Sequence, residues 1–156
     1  MSKSLKRVIR ALDAEGLDVM PIEMSEGART AQAAADAVGC ELDQIAKSII
    51  FRGETSGVAI LFITAGGNQV CADKASAVAG EPLGKADAAL IRSQTGFAIG
   101  GVSPIGHLSP IRAFFDPKLS GFDVVWAAAG TPRHVFPIHP VDLQRVSSAQ
   151  RAEFTV

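Results

Sequence analysis

Three glycines and a proline fall within eight consecutive positions, Gly100-Gly101-Val102-Ser103-Pro104-Ile105-Gly106-His107, directly after the apolar run Phe97-Ala98-Ile99. No other stretch constrains the backbone so tightly. Glycine permits a positive φ and lets another group approach the main chain closely. Pro104 fixes its own φ and pushes Ser103 into an extended conformation. The segment reads as a strand that ends in a stiff loop with sterically accessible amides. Two uses stay open at this point. The loop holds a polar ligand through its main chain, or it is a tight turn between two strands.

A chain of 156 residues is expected to form one domain, residues 1–156. With 47% hydrophobic and 20% charged residues, it has the composition of a globular protein able to bury a core without metal or disulfide staples. The formal net charge is −1, from 15 basic and 16 acidic residues, which argues against a protein that grips long nucleic acid or DNA by its phosphates. The absence of Tyr and the single Trp argue against an extended base-stacking platform. Cys40 and Cys71 form no CxxC pair and read as free thiols in a reducing compartment. The charged stretch Met1 to Arg10 lacks the pattern of a signal peptide, and the longest apolar run, Val58 to Ile63, is too short to cross a bilayer. A soluble, cytoplasmic protein without membrane contact is expected.

Leu5, Val8, Ile9 and Leu12 recur at helical spacing before Gly16. Asp18 to Ile22 is expected as a short strand. Thr30 caps an alanine-rich helix, Ala31 to Val38, ended by Gly39. A helical turn covers Leu42 to Ile45. Ser48–Phe51 and Val58–Thr64 read as a hairpin. Asp73 is expected to cap a helix through Ala79, and another helix spans Asp87 to Ser93. Strands are expected at Phe97–Gly100, Ile111–Phe115, Val124–Ala127 and Val135–Ile138, before a helix from Pro140 to Arg145. The order is not a regular βαβ alternation, so the class is α+β with a mixed, largely antiparallel sheet.

Familiar chemical signatures are mostly missing. Gly101 to Gly106 has one residue too many for G-x-S-x-G, and Pro104 sits where a nucleophile elbow turns into a helix. Ser103 therefore reads as a structural or binding hydroxyl. Neither GxGxxG nor GxxxxGK[ST] occurs, and His107, His134 and His139 match no metal spacing. No cofactor and no metal are expected. Lys47 stands out, because a lysine beside the strand Ser48-Ile49-Ile50-Phe51 can aim its ammonium at a phosphate or carbonyl while its stem packs below. A solvated lysine at a strand end is the alternative.

Taken in order, the pieces resemble a known family. They are Thr30 with the helix ending at Gly39, then Gln44-Ile45-Ala46-Lys47-Ser48-Ile49-Ile50-Phe51. Thr95-Gly96-Phe97-Ala98-Ile99-Gly100-Gly101-Val102-Ser103-Pro104-Ile105-Gly106 follows, and finally Val141-Asp142-Leu143. Over roughly Leu5 to Leu143 the chain resembles the YbaK/ProX aminoacyl-tRNA deacylases, which include the editing domain inserted in bacterial prolyl-tRNA synthetases. The resemblance implies a curved, barrel-like mixed sheet of about six or seven strands with flanking helices. It implies trans-editing: hydrolysis of the ester joining a wrong, small amino acid (alanine, 2-aminobutyrate or cysteine) to tRNA for proline. It implies Lys47 as the essential side chain, and Thr30, Gly100, Gly101, Ser103, Pro104, Gly106 and His134 as the substrate-binding set. The implied partners are the acceptor end of aminoacyl-tRNA and prolyl-tRNA synthetase, for a monomer or weak homodimer. One departure stands out. Some members carry an acidic residue near the last strand, whereas Ala129-Gly130-Thr131-Pro132-Arg133-His134-Val135 has none. His134 replaces that group or merely packs. Two other functions remain open at this stage: a hydrolase of small esters or thioesters, and a non-catalytic module that holds tRNA ends or a synthetase.

Overall fold

The computed structural model describes residues 1–156 as five α-helices and eight strands. The strands form one mixed sheet in the order β1-β7-β6-β2-β3-β5-β8, with β4 also paired to β2. Here β1 is Ile22–Glu23, β2 Ile45–Gly53, β3 Ala59–Ala65, β4 Leu83–Lys85, β5 Arg112–Phe115, β6 Val125–Ala128, β7 His134–Ile138 and β8 Gln150–Arg151. The helices are α1 Lys3–Ala14, α2 Ala31–Val38, α3 Ala72–Ala79, α4 Ala88–Thr95 and α5 Pro140–Ser147. No helix is long and apolar enough to cross a membrane.

The centre of the sheet is the hairpin read from the sequence. β2 and β3 pair antiparallel from Ala46↔Ala65 to Arg52↔Ala59. All seven residues of β3 are buried, because both faces of the sheet are covered. On one face Leu61, Ile63 and Ala65 meet Leu5, Val8 and Leu12 of α1, together with Phe97, Phe115 and Phe136. On the other face Ile60 and Phe62 meet Ala75 and Ala79 of α3, with Phe114 and Phe154. The Phe62 ring lies 5.4 Å from that of Phe114 and 5.0 Å from that of Phe154, centroid to centroid. Burial of such rings contributes most of what holds the hairpin to α3. A third cluster packs α2 through Ala34 and Ala35 onto Ile45, Val135 and Met24.

Several expectations are corrected. The strand expected at Phe97–Gly100 is absent. The Phe97 amide donates to Thr95 Oγ1 at 3.1 Å and the Gly101 amide to the Ala98 carbonyl at 3.1 Å, so local turns satisfy the backbone where a ladder was expected. Phe97 is nonetheless fully buried, which explains its strand-like apolar signature. The strand expected over Asp18 to Ile22 is only the pair Ile22–Glu23. The two-residue β8 and the three-residue β4 were not expected, since Gln150-Arg151 and Leu83-Gly84-Lys85 carry no apolar alternation and become strands only by pairing at an edge. Asp73 does not cap α3; Cys71 occupies that position without a side-chain bond. The expected class holds: the sheet is mixed, with four of its seven pairings antiparallel and helices flanking it, though it is not closed into a barrel, since β1 and β8 stand at its two ends.

Candidate active site

β2 is flanked on one edge by β3 along nearly all its length. On the other edge it has two short partners. β6 pairs in parallel only with Ile45 and Ala46, and β4 pairs antiparallel only with Phe51 to Gly53. Residues 47–50 have no strand beside them there. The Gly53 amide bonds to the Val58 carbonyl at 2.9 Å, which fixes the alternation of the ladder. Odd-numbered residues of β2 thus bond to β3, and the amides and carbonyls of Ser48 and Ile50 face the gap.

A cavity of about 390 Å³ occupies this gap. Its walls include Thr30 and Ala34 from the start of α2, Lys47 to Ile50 from β2, Ile99 and Gly100 from the glycine loop, Trp126 from β6, and Thr131, Pro132 and His134. Fifteen of its 23 lining residues are hydrophobic, so a few polar groups must set the orientation of any ligand.

Lys47 is half-buried and its ammonium donates to the Asn68 carbonyl at 2.6 Å. Burial holds it below the usual lysine range, while Asp116 and Asp43 pull it back up. The buried Asp116 organises this corner. Its carboxylate accepts from the Ala65 amide at 3.0 Å, Asn68 Nδ2 at 2.9 Å and the Lys118 amide at 3.0 Å. The lysine is thus a positioned cation on a strand, with its carboxylate counter-charges set back behind a loop.

Thr30 Oγ1 accepts from the Ala33 amide at 3.0 Å and so caps α2, as the sequence implied. Its methyl group is left for the cavity. His134 Nδ1 lies 2.7 Å from Thr131 Oγ1, and Nε2 lies 3.4 Å from Glu23 Oε2. The sequence segment around His134 holds no carboxylate, but β1 brings one to it from 111 positions earlier in the chain.

Of the residues singled out from the sequence, Thr30, Lys47, Gly100 and His134 meet in one cavity. Gly101, Ser103, Pro104 and Gly106 do not line it. A Cβ added to Gly101 would lie 2.8 Å from Thr131 Cα, so this glycine serves the contact of two loops. Ser103 is fully buried and its Oγ accepts from the Ile105 amide at 3.3 Å. Pro104 and Gly106 line a separate hollow beside α5. Sequence reasoning missed Ser48, whose Oγ is buried in the cavity wall without a hydrogen-bond partner. Its signal was a lone hydroxyl in an apolar strand. The outer side of the glycine loop is held by Arg7 of α1, which donates through Nε to the Gly106 carbonyl at 2.6 Å and stacks 4.5 Å above the Phe97 ring. No group of three or more His, Cys, Asp or Glu side chains is arranged to hold a metal ion.

His107 locks the same loop. Its Nε2 lies 2.6 Å from the Ser103 carbonyl and must carry the proton, since a carbonyl only accepts. Burial, with Arg7 adding to it, lowers the His107 pKa below its usual 6.5; the Ser103 bond opposes this. Below that value the unfolded chain binds a proton that the native state resists, so stability falls as pH drops through it. Melting temperature should therefore decline from pH 7 to pH 5 less steeply in His107→Gln than in the wild type. Parallel curves would mean that His107 does not couple folding to pH.

Residues 25–146 match the family model of the aminoacyl-tRNA editing domain. A solved structure described as a candidate trans-editing enzyme for prolyl tRNA synthetase is 43% identical, covers 100% of this chain and 99% of its own, and superposes with a TM-score of 0.93. A second, from work on computational grafting of linear epitopes onto scaffold proteins, is 41% identical with the same coverage and TM-score. The uncharacterized protein YwhH of Bacillus subtilis (strain 168) is 32% identical over 130 residues, 83% of this chain and 81% of its own length.

Proposed function

The chain belongs to the aminoacyl-tRNA editing domain family, and from that premise we propose that it is a proofreading deacylase that clears small, wrong amino acids from tRNA for proline. As an aminoacyl-tRNA deacylase it adds water across the ester that joins an amino acid to the terminal ribose. The water oxygen bonds to the acyl carbon, the acyl–ribose bond breaks, and the ribose oxygen leaves with a proton. The observation that carries the proposal is the unpaired edge of β2, with Lys47 beside it, in the wall of an apolar cavity.

An amino acid ester offers an α-ammonium, a carbonyl and a short side chain. The free carbonyls of Ser48 and Ile50 suit the ammonium, and their amides suit the carbonyl oxygen as it gains charge. The Lys47 cation adds to that stabilisation or holds the terminal nucleotide, and Ser48 Oγ is free to bond the ribose. Positioning plus preorganised donors suffices for an activated ester. Gly100 leaves room at the mouth, and His134, steadied by Thr131 and Glu23, closes one wall. Gly101, Ser103, Pro104 and Gly106 act on substrate by shaping the loop. The relative described as a candidate trans-editing enzyme for prolyl tRNA synthetase supports tRNA for proline as the substrate and the synthetase as companion.

Selectivity by size follows from the walls. One methylene in an apolar pocket is worth about 1–3 kcal/mol, so discrimination between neighbours in size should be partial, roughly 10- to 200-fold. Thr30→Ser keeps the cap on α2 and removes only the methyl group. It should shift preference from alanyl- toward 2-aminobutyryl- and cysteinyl-tRNA in single-turnover assays. An unchanged ranking would put the selecting wall elsewhere. Fast hydrolysis of prolyl-tRNA by the wild type would end the proofreading reading.

A further inference from the structure

On the proposed reading the cavity takes a terminal nucleotide and its amino acid, which leaves the helical stem behind them without a surface. Beyond the Thr131–His134 ridge lies a second hollow of about 420 Å³, which shares Thr131, Pro132 and His134 with the first and reaches Met1, Ser2 and Leu5. The first turn of α1 thus borders the site. Two close approaches fix it there: a Cβ added to Gly130 would lie 2.8 Å from the Ser4 carbonyl oxygen, and Arg7 bonds to the Gly106 carbonyl.

The outward side of α1 is basic. Leu5, Val8 and Leu12 face the core. At 100° per residue the opposite arc holds Lys3, Lys6 and Arg10, with Arg7 at its border. Lys3, Lys6 and Arg10 are exposed and take part in no ion pair. Arg133 and Arg29 extend the positive strip along the rim; both are exposed, and Arg29 lines the cavity itself. The acids on this side are Glu23, engaged with His134, Glu26, and Asp13 at the last turn of α1 beside Arg10, against five cations. For a chain of net charge −1 this is a marked local asymmetry.

We propose that the outer face of α1 is a docking surface for the phosphodiester backbone of the RNA stem whose end enters the cavity. This rests on the editing function above and extends it. From Lys3 to Arg10 the helix spans about 10 Å, enough to meet about two or three successive phosphates. Such contacts position a duplex without reading its sequence.

The test compares wild type with the triple variant Lys3→Ala, Lys6→Ala, Arg10→Ala, on alanyl-tRNA for proline and on alanyl-adenosine. The latter ends inside the cavity. With three phosphate contacts, wild-type KM for the tRNA should rise roughly 20- to 40-fold between 50 and 200 mM salt. The variant should lose most of that dependence and show a raised KM at low salt with kcat unchanged, while its turnover of alanyl-adenosine matches wild type. An RNA duplex with the same acceptor stem should bind the variant more weakly by the same factor. Wild-type salt dependence in an active variant overturns the α1 surface and leaves the editing function standing. Equal losses on both substrates also overturn it, as damage to the fold. Failure of the wild type to deacylate any alanyl-tRNA overturns both.

Discussion

Lys47→Ala is expected to lower kcat/KM for aminoacyl-tRNA by roughly tenfold to a hundredfold while the protein keeps its melting temperature within a few degrees. The Lys47 ammonium sits in the cavity wall with a single hydrogen-bond partner, the Asn68 carbonyl. A charge-assisted contact to substrate is worth about 1.5–3 kcal/mol, which sets the size of the loss. Stability should hardly change, for two reasons. Asn68 and its bond to the ammonium are only partly buried, so water can replace the ammonium. Burial already disfavours the charged lysine, as its lowered pKa records, so removal relieves a desolvation cost. The check is single-turnover deacylation alongside thermal unfolding by circular dichroism. Near wild-type turnover by a folded variant would remove Lys47 from the mechanism. Lys47→Met, which keeps the apolar stem, should fail to restore activity if the charge is what matters.

Gly101→Ala should injure both the fold and the reaction. An added Cβ would lie 2.8–3.0 Å from three backbone atoms of Thr131, and main chain cannot rotate aside as a long side chain can. Overpacking of this kind costs about 1–3 kcal/mol, or roughly 3–10 °C in melting temperature for a chain of this size. The loop that yields carries Thr131, Pro132 and His134, all of which line the cavity, so kcat/KM should fall as well. Gly100 offers a contrast. Its φ of 95° demands glycine, yet a Cβ there would meet nothing closer than 3.8 Å, so Gly100→Ala tests conformation without crowding. An unaltered Gly101→Ala protein, in both stability and rate, would show that the two loops separate freely.

From the sequence, Gly101 read as making room for a ligand; in the fold it makes room for Thr131. The glycine pattern marked a close approach without saying what approaches. The same limit shaped the rest of the reading. The hairpin of β2 and β3, the helices α1 to α5 (α3 with the wrong cap), and the strands β5 to β7 were legible because periodicity and caps act locally. Phe97 was misread as strand because a fully buried loop residue carries the same apolar signature. Lys47, Thr30, Gly100 and His134 were named from motifs, and they do converge. Glu23 and Ser48 were not named. Glu23 reaches His134 only through the pairing of β1 with β7, and the importance of Ser48 arises from a strand missing beside it. Neither fact is written in any short window of residues.

That missing strand has a bearing on how such a protein changes over time. On the proposed reading, recognition of the part common to all amino acids falls to peptide groups of β2, which every residue type carries alike. Substitutions cannot easily erase it so long as the hairpin folds. The residues that differ in size, such as Thr30, Ile99 and Trp126, stand around that constant element and can drift one at a time. If the site works as proposed, a lineage built this way can exchange one rejected amino acid for another by small steps, without passing through a form that has lost its grip on the ester.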